Sequence, residues 1–161
     1  MKKLILTFLT IFSTLTSNVV WSADYEKGET AYQNGDYATA LSELKPLANQ
    51  GYDRAQFRLG WMYDMGYGVP EDDKTAVKWY TLAAEQGNAK SQYYLGMMYF
   101  YGDGVIQDNI YAHMWGNIAT SNGNGNGAKL TDIAASKMTY DDISAAQKLA
   151  RECLAKNYKG C

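Results

Sequence analysis

Residues 51–86 and 87–122 are two copies of one 36-residue unit, identical at 13 of 36 aligned positions, where chance gives about two. The identities begin at Gly51/Gly87 and run through Gln56/Gln92, Leu59/Leu95, Gly60/Gly96, Met62/Met98 and Tyr63/Tyr99. They continue through Gly66/Gly102, Gly68/Gly104, Val69/Val105, Asp72/Asp108, Ala76/Ala112 and Trp79/Trp115 to Ala83/Ala119. A unit this short cannot cover its own apolar face. Successive copies must stack, which predicts a solenoid.

Within a unit, Ala55, Leu59 and Tyr63 recur every fourth residue, as do Ala76, Tyr80 and Ala84. That is helical periodicity, so each unit is predicted to be two helices. The Gly-x-Gly-Val segment between them breaks the helix. Asp72 and Asp108 stand where each second helix should start, and suit N-capping. Gly51, Gly87 and Gly123 are expected to close the units. Gly60 and Gly96 fall in mid-helix, where glycine costs about 1 kcal/mol against alanine. Close approach of a neighbouring helix, with Trp79 or Trp115 against the bare backbone, is the expected compensation.

The pattern Leu59-Gly60-x-x-Tyr63-x-x-Gly66-x-Gly68-Val69-x-x-Asp72-x-x-x-Ala76-x-x-Trp79-Tyr80-x-x-Ala83-Ala84-x-x-Gly87 resembles the Sel1-like repeat, a relative of the tetratricopeptide repeat. The second copy has Gly116 in place of Tyr80 and Thr120 in place of Ala84, which predicts looser packing at the end of its second helix. Residues 24–50 read as a tetratricopeptide-like helix pair around an Asn34-Gly35-Asp36 turn, with Asp36, Ala40 and Ala48 in register with Asp72, Ala76 and Ala84. Residues 123–161 resemble the helical tail of small exported members. There Thr139 caps a helix, with Asp142 three residues on. The Asn-Gly run at 122–127 is expected to be a flexible extension of a turn. The resemblance implies an all-α chain, an α-solenoid of helix-turn-helix units with a C-terminal helical cap.

The first residues predict export. Lys2 and Lys3 precede the apolar run Leu4 to Phe12, and small residues follow at Ser22 and Ala23, the pattern of a signal peptide over residues 1–22. The run is short of the roughly 20 apolar residues that a spanning helix needs. Losing Lys2 and Lys3 leaves 13 basic side chains against 17 acidic ones, a net charge of −4 with His neutral. Nucleic acid and anionic membranes reward a basic surface and are therefore not expected partners. Cys153 and Cys161, an even count in an exported chain, are expected to pair as a disulfide. A periplasmic or secreted location follows.

Little in the chain points to catalysis. The single histidine, His113, sits in a helix where the first copy has Val77. The serines lack a nucleophile elbow, and no metal-ligand spacing occurs, so neither an enzyme nor a cofactor is expected. Some disulfide-rich Sel1-like proteins are linked to β-lactam hydrolysis. Their repeats carry paired cysteines, and neither full repeat here contains one.

The resemblance places the motif positions of each first helix against the layer behind and the intervening positions on a concave face. Those positions are Arg54, Phe57, Arg58 and Trp61 in the first repeat and Lys90, Tyr93, Tyr94 and Met97 in the second, with Tyr101 extending the second row. Aromatic side chains, Met and Arg are the types enriched at protein interfaces. Some, Phe57 and Tyr93 above all, also suit packing between repeats. The expected function is therefore binding of a protein or peptide on that face. The alternative is a periplasmic inhibitor or immunity protein that neutralises a toxic enzyme.

Overall fold

The computed structural model describes residues 23–161, so the signal peptide expected at 1–22 lies outside the described residues. Eight helices and no strand occur among the described residues: α1 Tyr25–Gln33, α2 Tyr37–Asn49, α3 Asp53–Met65, α4 Asp73–Ala84, α5 Ala89–Tyr101, α6 Asn109–Ser121, α7 Gly127–Ala135 and α8 Tyr140–Ala155. The chain is all-α, and its helices pair in sequence order as an α-solenoid.

Local chemistry sets the helix starts. Asp36, Asp72 and Asp108 are the N-caps of α2, α4 and α6, each accepting a backbone N–H of the first turn. Satisfying such an orphan donor is worth about 1 kcal/mol. Thr139 and Asp142 form the expected capping box at α8. Gly66 and Gly102 end α3 and α5 in the left-handed conformation, which ordinary side chains avoid.

The repeat also fixes how units meet. Gln56 Nε2 donates to Ala48 O at 3.1 Å, and Gln92 Nε2 to Ala84 O at 3.1 Å, so each unit grips the end of the preceding second helix. Gln86 and Asn122 in turn donate to Oε1 of Gln56 and Gln92. The connecting loops seat likewise: a Cβ at Gly68 would touch Tyr37, and one at Gly104 would lie 2.5 Å from the Asp73 carbonyl carbon. Each junction satisfies polar groups that stacking would otherwise bury unpaired.

Packing corrects three expectations. Gly60 is met by Tyr80, not by Trp79: a Cβ there would lie 2.6 Å from the fully buried Tyr80 ring. Trp79 is only half-buried, against the N-terminal cluster, whereas Trp115 is 1% exposed. Second, the end of α6 packs tightly rather than loosely. Gly116 and Gly127 bring the backbones of α6 and α7 together, since a Cβ on Gly127 would lie 2.6 Å from Gly116 O and 2.7 Å from Thr120 N. Thr120 and Thr131 return their hydroxyls to Gly116 O and Gly127 O, so the two helices meet through matching Gly-x-x-x-Thr stripes. The substitution that breaks the repeat pattern at Tyr80/Gly116 thus admits α7. Third, the Asn-Gly run is tied down: Asn122 joins the glutamine ladder, and Asn124 Nδ2 donates to Ala89 O at 3.1 Å.

The last helix, α8, packs on α6. Beyond it, Asn157 and Tyr158 take left-handed conformations, with φ 49° and 67°, and turn the chain back. Tyr158 Oη then donates to Asn122 Oδ1 at 3.0 Å. Cys153 and Cys161 lie at disulfide distance, with Cα atoms 5.5 Å apart, closing a loop with a sequence separation of 8. Replacing both by serine is expected to cost about 2–3 kcal/mol through the freed unfolded chain. Urea unfolding under oxidising conditions checks this, and an unchanged midpoint means that the pair adds nothing.

Candidate functional site

Helices α1, α3 and α5 line up on one side of the molecule and leave an open groove between them. It consists of two adjoining hollows, of ≈ 330 and ≈ 440 Å³, that share Phe57, Arg58 and Lys90. Seven of the nine residues expected on the concave face line it: Arg54, Phe57, Arg58, Trp61, Lys90, Tyr93 and Tyr94. Phe57 is the floor rather than a free contact, being 9% exposed and packed on Tyr80 and Tyr94. Met97 packs beside the cluster of Phe100 and Leu130, where α7 covers it, and Tyr101 stands exposed outside the hollows. The second row, expected to run on through Met97 to Tyr101, therefore leaves the hollows after Tyr94.

The walls are preorganised by contacts within the array. Tyr94 sits among Trp61, Tyr93, Phe57 and Tyr80, with centroids 5.1 Å away for Trp61 and 5.6 Å for Tyr80. Edge and stacked aromatic pairs of this kind hold their rings in place. Trp61 Nε1 donates to Tyr32 Oη at 2.7 Å. Arg58 lies over the Tyr32 ring, 4.2 Å from its centroid, and its fork engages both carboxylate oxygens of Glu29. That pair is largely screened, at 16% and 15% side-chain exposure. A forked, screened pair is stiffer than a surface pair, which is worth about 0–1 kcal/mol.

Glu29, Tyr32 and Tyr25 come from the divergent N-terminal unit, and Asn124 and Asn126 from beyond the second repeat, so comparing the two repeats could not find them. The one available signal was register: Asn124 follows Asn88 by one repeat, and both reach back to the start of the preceding first helix, at Asp53 and Ala89.

Burial raises the Tyr94 phenol above its usual value, so it stays a hydrogen-bond donor at neutral pH. Burial also raises the Asp64 carboxyl behind the groove, against the lowering effect of the Tyr80 hydroxyl, which donates to it at 3.0 Å. His113 lies away from the groove, 3% exposed, and burial lowers its pKa. Among the described residues, no three His, Cys, Asp or Glu side chains gather as a metal set, and no helix is long and apolar enough to cross a membrane.

Two stretches, residues 53–88 and 89–124, match the Sel1 repeat. No curated protein matches the chain. Among solved structures, it is similar to a Sel1 repeat protein from Oxalobacter formigenes, with 36% identity over 67% of this chain and 84% of that one and a TM-score of 0.61. It is also similar to a protective antigen present in uropathogenic Escherichia coli strains that displays an SLR fold. There the identity is 28% and the TM-score 0.76, over 81% of this chain but only 30% of the antigen.

Proposed function

The chain belongs to the Sel1 repeat family, whose repeats mediate protein interactions, and we propose that it is an exported, non-catalytic binding module that holds a protein segment in the α1–α3–α5 groove. The observation that carries this reading is the groove itself. Trp61, Tyr93 and Tyr94 remain partly exposed in an open hollow, in front of the buried rings of Phe57 and Tyr80. Aromatic surface of this kind, rimmed by polar groups, marks an interaction site. Export is supported by the lysine-led apolar start and by two cysteines at disulfide distance.

Trp61 is the expected anchor. Trp61→Ala is expected to weaken binding of a partner recovered from the native cell envelope by about 2 kcal/mol or more, the usual hot-spot scale. Trp61→Phe, which keeps the ring on Tyr94, should retain most of the affinity. Calorimetric titration of the recovered partner, beside melts of both variants, makes the test. A folded Trp61→Ala variant with wild-type affinity sinks the groove reading.

A further inference from the structure

Resting on that groove reading, we propose that the bound segment is an extended acidic peptide, with a carboxylate held by Lys90 and a neighbouring aromatic or large apolar side chain laid against Trp61 and Tyr94.

The charges lining the groove are not those of the chain as a whole. The protein carries net charge −2, yet the hollow lined by Trp61, Tyr93 and Tyr94 holds Arg58 and Lys90 and no carboxylate, and the adjoining hollow sets only Glu26 and Glu29 against Arg54, Arg58 and Lys90. Both cations flank the Phe57 ring, with Arg58 Cζ 5.8 Å and Lys90 Nζ 5.7 Å from its centroid. They differ in what already satisfies them. Glu29 occupies the Arg58 fork. Arg54, further along, lies over the Tyr25 ring and reaches Glu26 at 3.7 Å. Lys90 is exposed and makes no ion pair among the described residues. It is the cation left for a ligand.

The uncharged groups point the same way. The hydroxyls of Tyr93 and Tyr94 and the side-chain amide of Asn126 line the same hollow, and none is engaged by another side chain or a backbone group among the described residues. Phenol and ammonium groups offer protons, so the complement they need is rich in acceptors: carboxylates and peptide carbonyls. A basic segment would set its charge against Lys90, while the acids of the adjoining hollow, Glu26 and Glu29, already face Arg54 and Arg58. A nucleic acid would also present acceptors and stackable rings, but its affinity grows with the number of phosphates neutralised, and one uncompensated lysine is a poor start.

Titration calorimetry on the purified chain tests the proposal with four probes: a blocked peptide alternating Asp-Phe with glycine spacers, its Asn-Phe and Lys-Phe counterparts, and oligo(dT). The Asp-Phe peptide is expected to bind at least about ten-fold more tightly than the Asn-Phe peptide, the scale of one charge-assisted hydrogen bond. The difference should shrink as salt rises. Lys90→Glu is expected to erase that preference and favour the Lys-Phe peptide. It should fold normally, because Lys90 is exposed in the first turn of α5, where an acid is favoured.

Equal affinity for the Asp-Phe and Asn-Phe peptides overturns the acidic specificity while leaving the groove reading in place. Peptide binding that is indifferent to Trp61→Ala overturns the groove reading itself. Tighter binding of oligo(dT) than of the Asp-Phe peptide, or no binding of any peptide, also overturns the proposal.

Discussion

Gly127→Val is expected to destabilise the chain by about 3 kcal/mol or more, the upper range for overpacking a closed contact. The reason lies in what the new carbon would strike. A Cβ at Gly127 falls 2.5 Å from Thr120 Oγ1, 2.6 Å from Gly116 O and 2.7 Å from Thr120 N. Two of those three atoms are backbone of a helix that α8 holds from another side, so no rotamer change relieves the clash. Relief requires α7 to back away from α6, opening the cluster of Phe100, Ala112, Leu130 and Ala134. Gly125→Ala is the internal control. Nothing lies within 4 Å of a Cβ there, and its φ is not positive, so the change should be neutral or mildly stabilising. Urea melts of the two variants decide the matter. If Gly127→Val unfolds at the same midpoint as Gly125→Ala, the α6–α7 contact is not the close seam described.

Trp115→Ala is expected to cost about 3–5 kcal/mol, the range for removing a large aromatic from a closed core. Trp115 is 1% exposed and belongs to the cluster that α8 completes with Ala150 and Cys153. Its repeat mate Trp79 is half-buried, against the N-terminal cluster, so part of its ring already faces solvent. Trp79→Ala should therefore cost clearly less, because less surface returns to water and the gap can refill. Equal losses at the two positions in thermal or urea melts would mean that α8 does not seal Trp115 in place.

These two cases mark how far the amino-acid pattern reaches. The self-similarity made the helix pairs legible, and the aspartate caps followed from where the periodicity restarts after each glycine loop. The stripe Arg54, Phe57, Arg58 and Trp61 was readable for the same reason: three- and four-residue spacings put side chains on one helix face. What the pattern could not carry was anything made only once. Glu29 and Tyr32 hold Arg58 and Trp61 across a separation of 29 residues, from the first helix of a unit in which only the second helix falls in register with the repeats, so half of the groove wall was invisible. Gly116 read as a defect, because a missing side chain says nothing of the helix that will fill its space. Met97 and Tyr101 kept the spacing of the stripe, but α7 lies beside Met97 and takes it into a cluster.

The junctions between units carry an evolutionary consequence. The Gln56–Ala48 and Gln92–Ala84 bonds, and the seats of Gly68 on Tyr37 and of Gly104 on Asp73, recur at constant offset, so a unit finds the same neighbour wherever it is inserted. An in-frame tandem duplication of residues 53–88 would present compatible joints on both sides. In a quasi-one-dimensional array, it would add its own stability without disturbing the rest. The seam between Gly116 and Gly127 has no such freedom, because it is built for one helix and has no upstream copy among the described residues. Gene duplication can therefore lengthen this protein from within, adding groove as it does so, while its C-terminal end stays fixed.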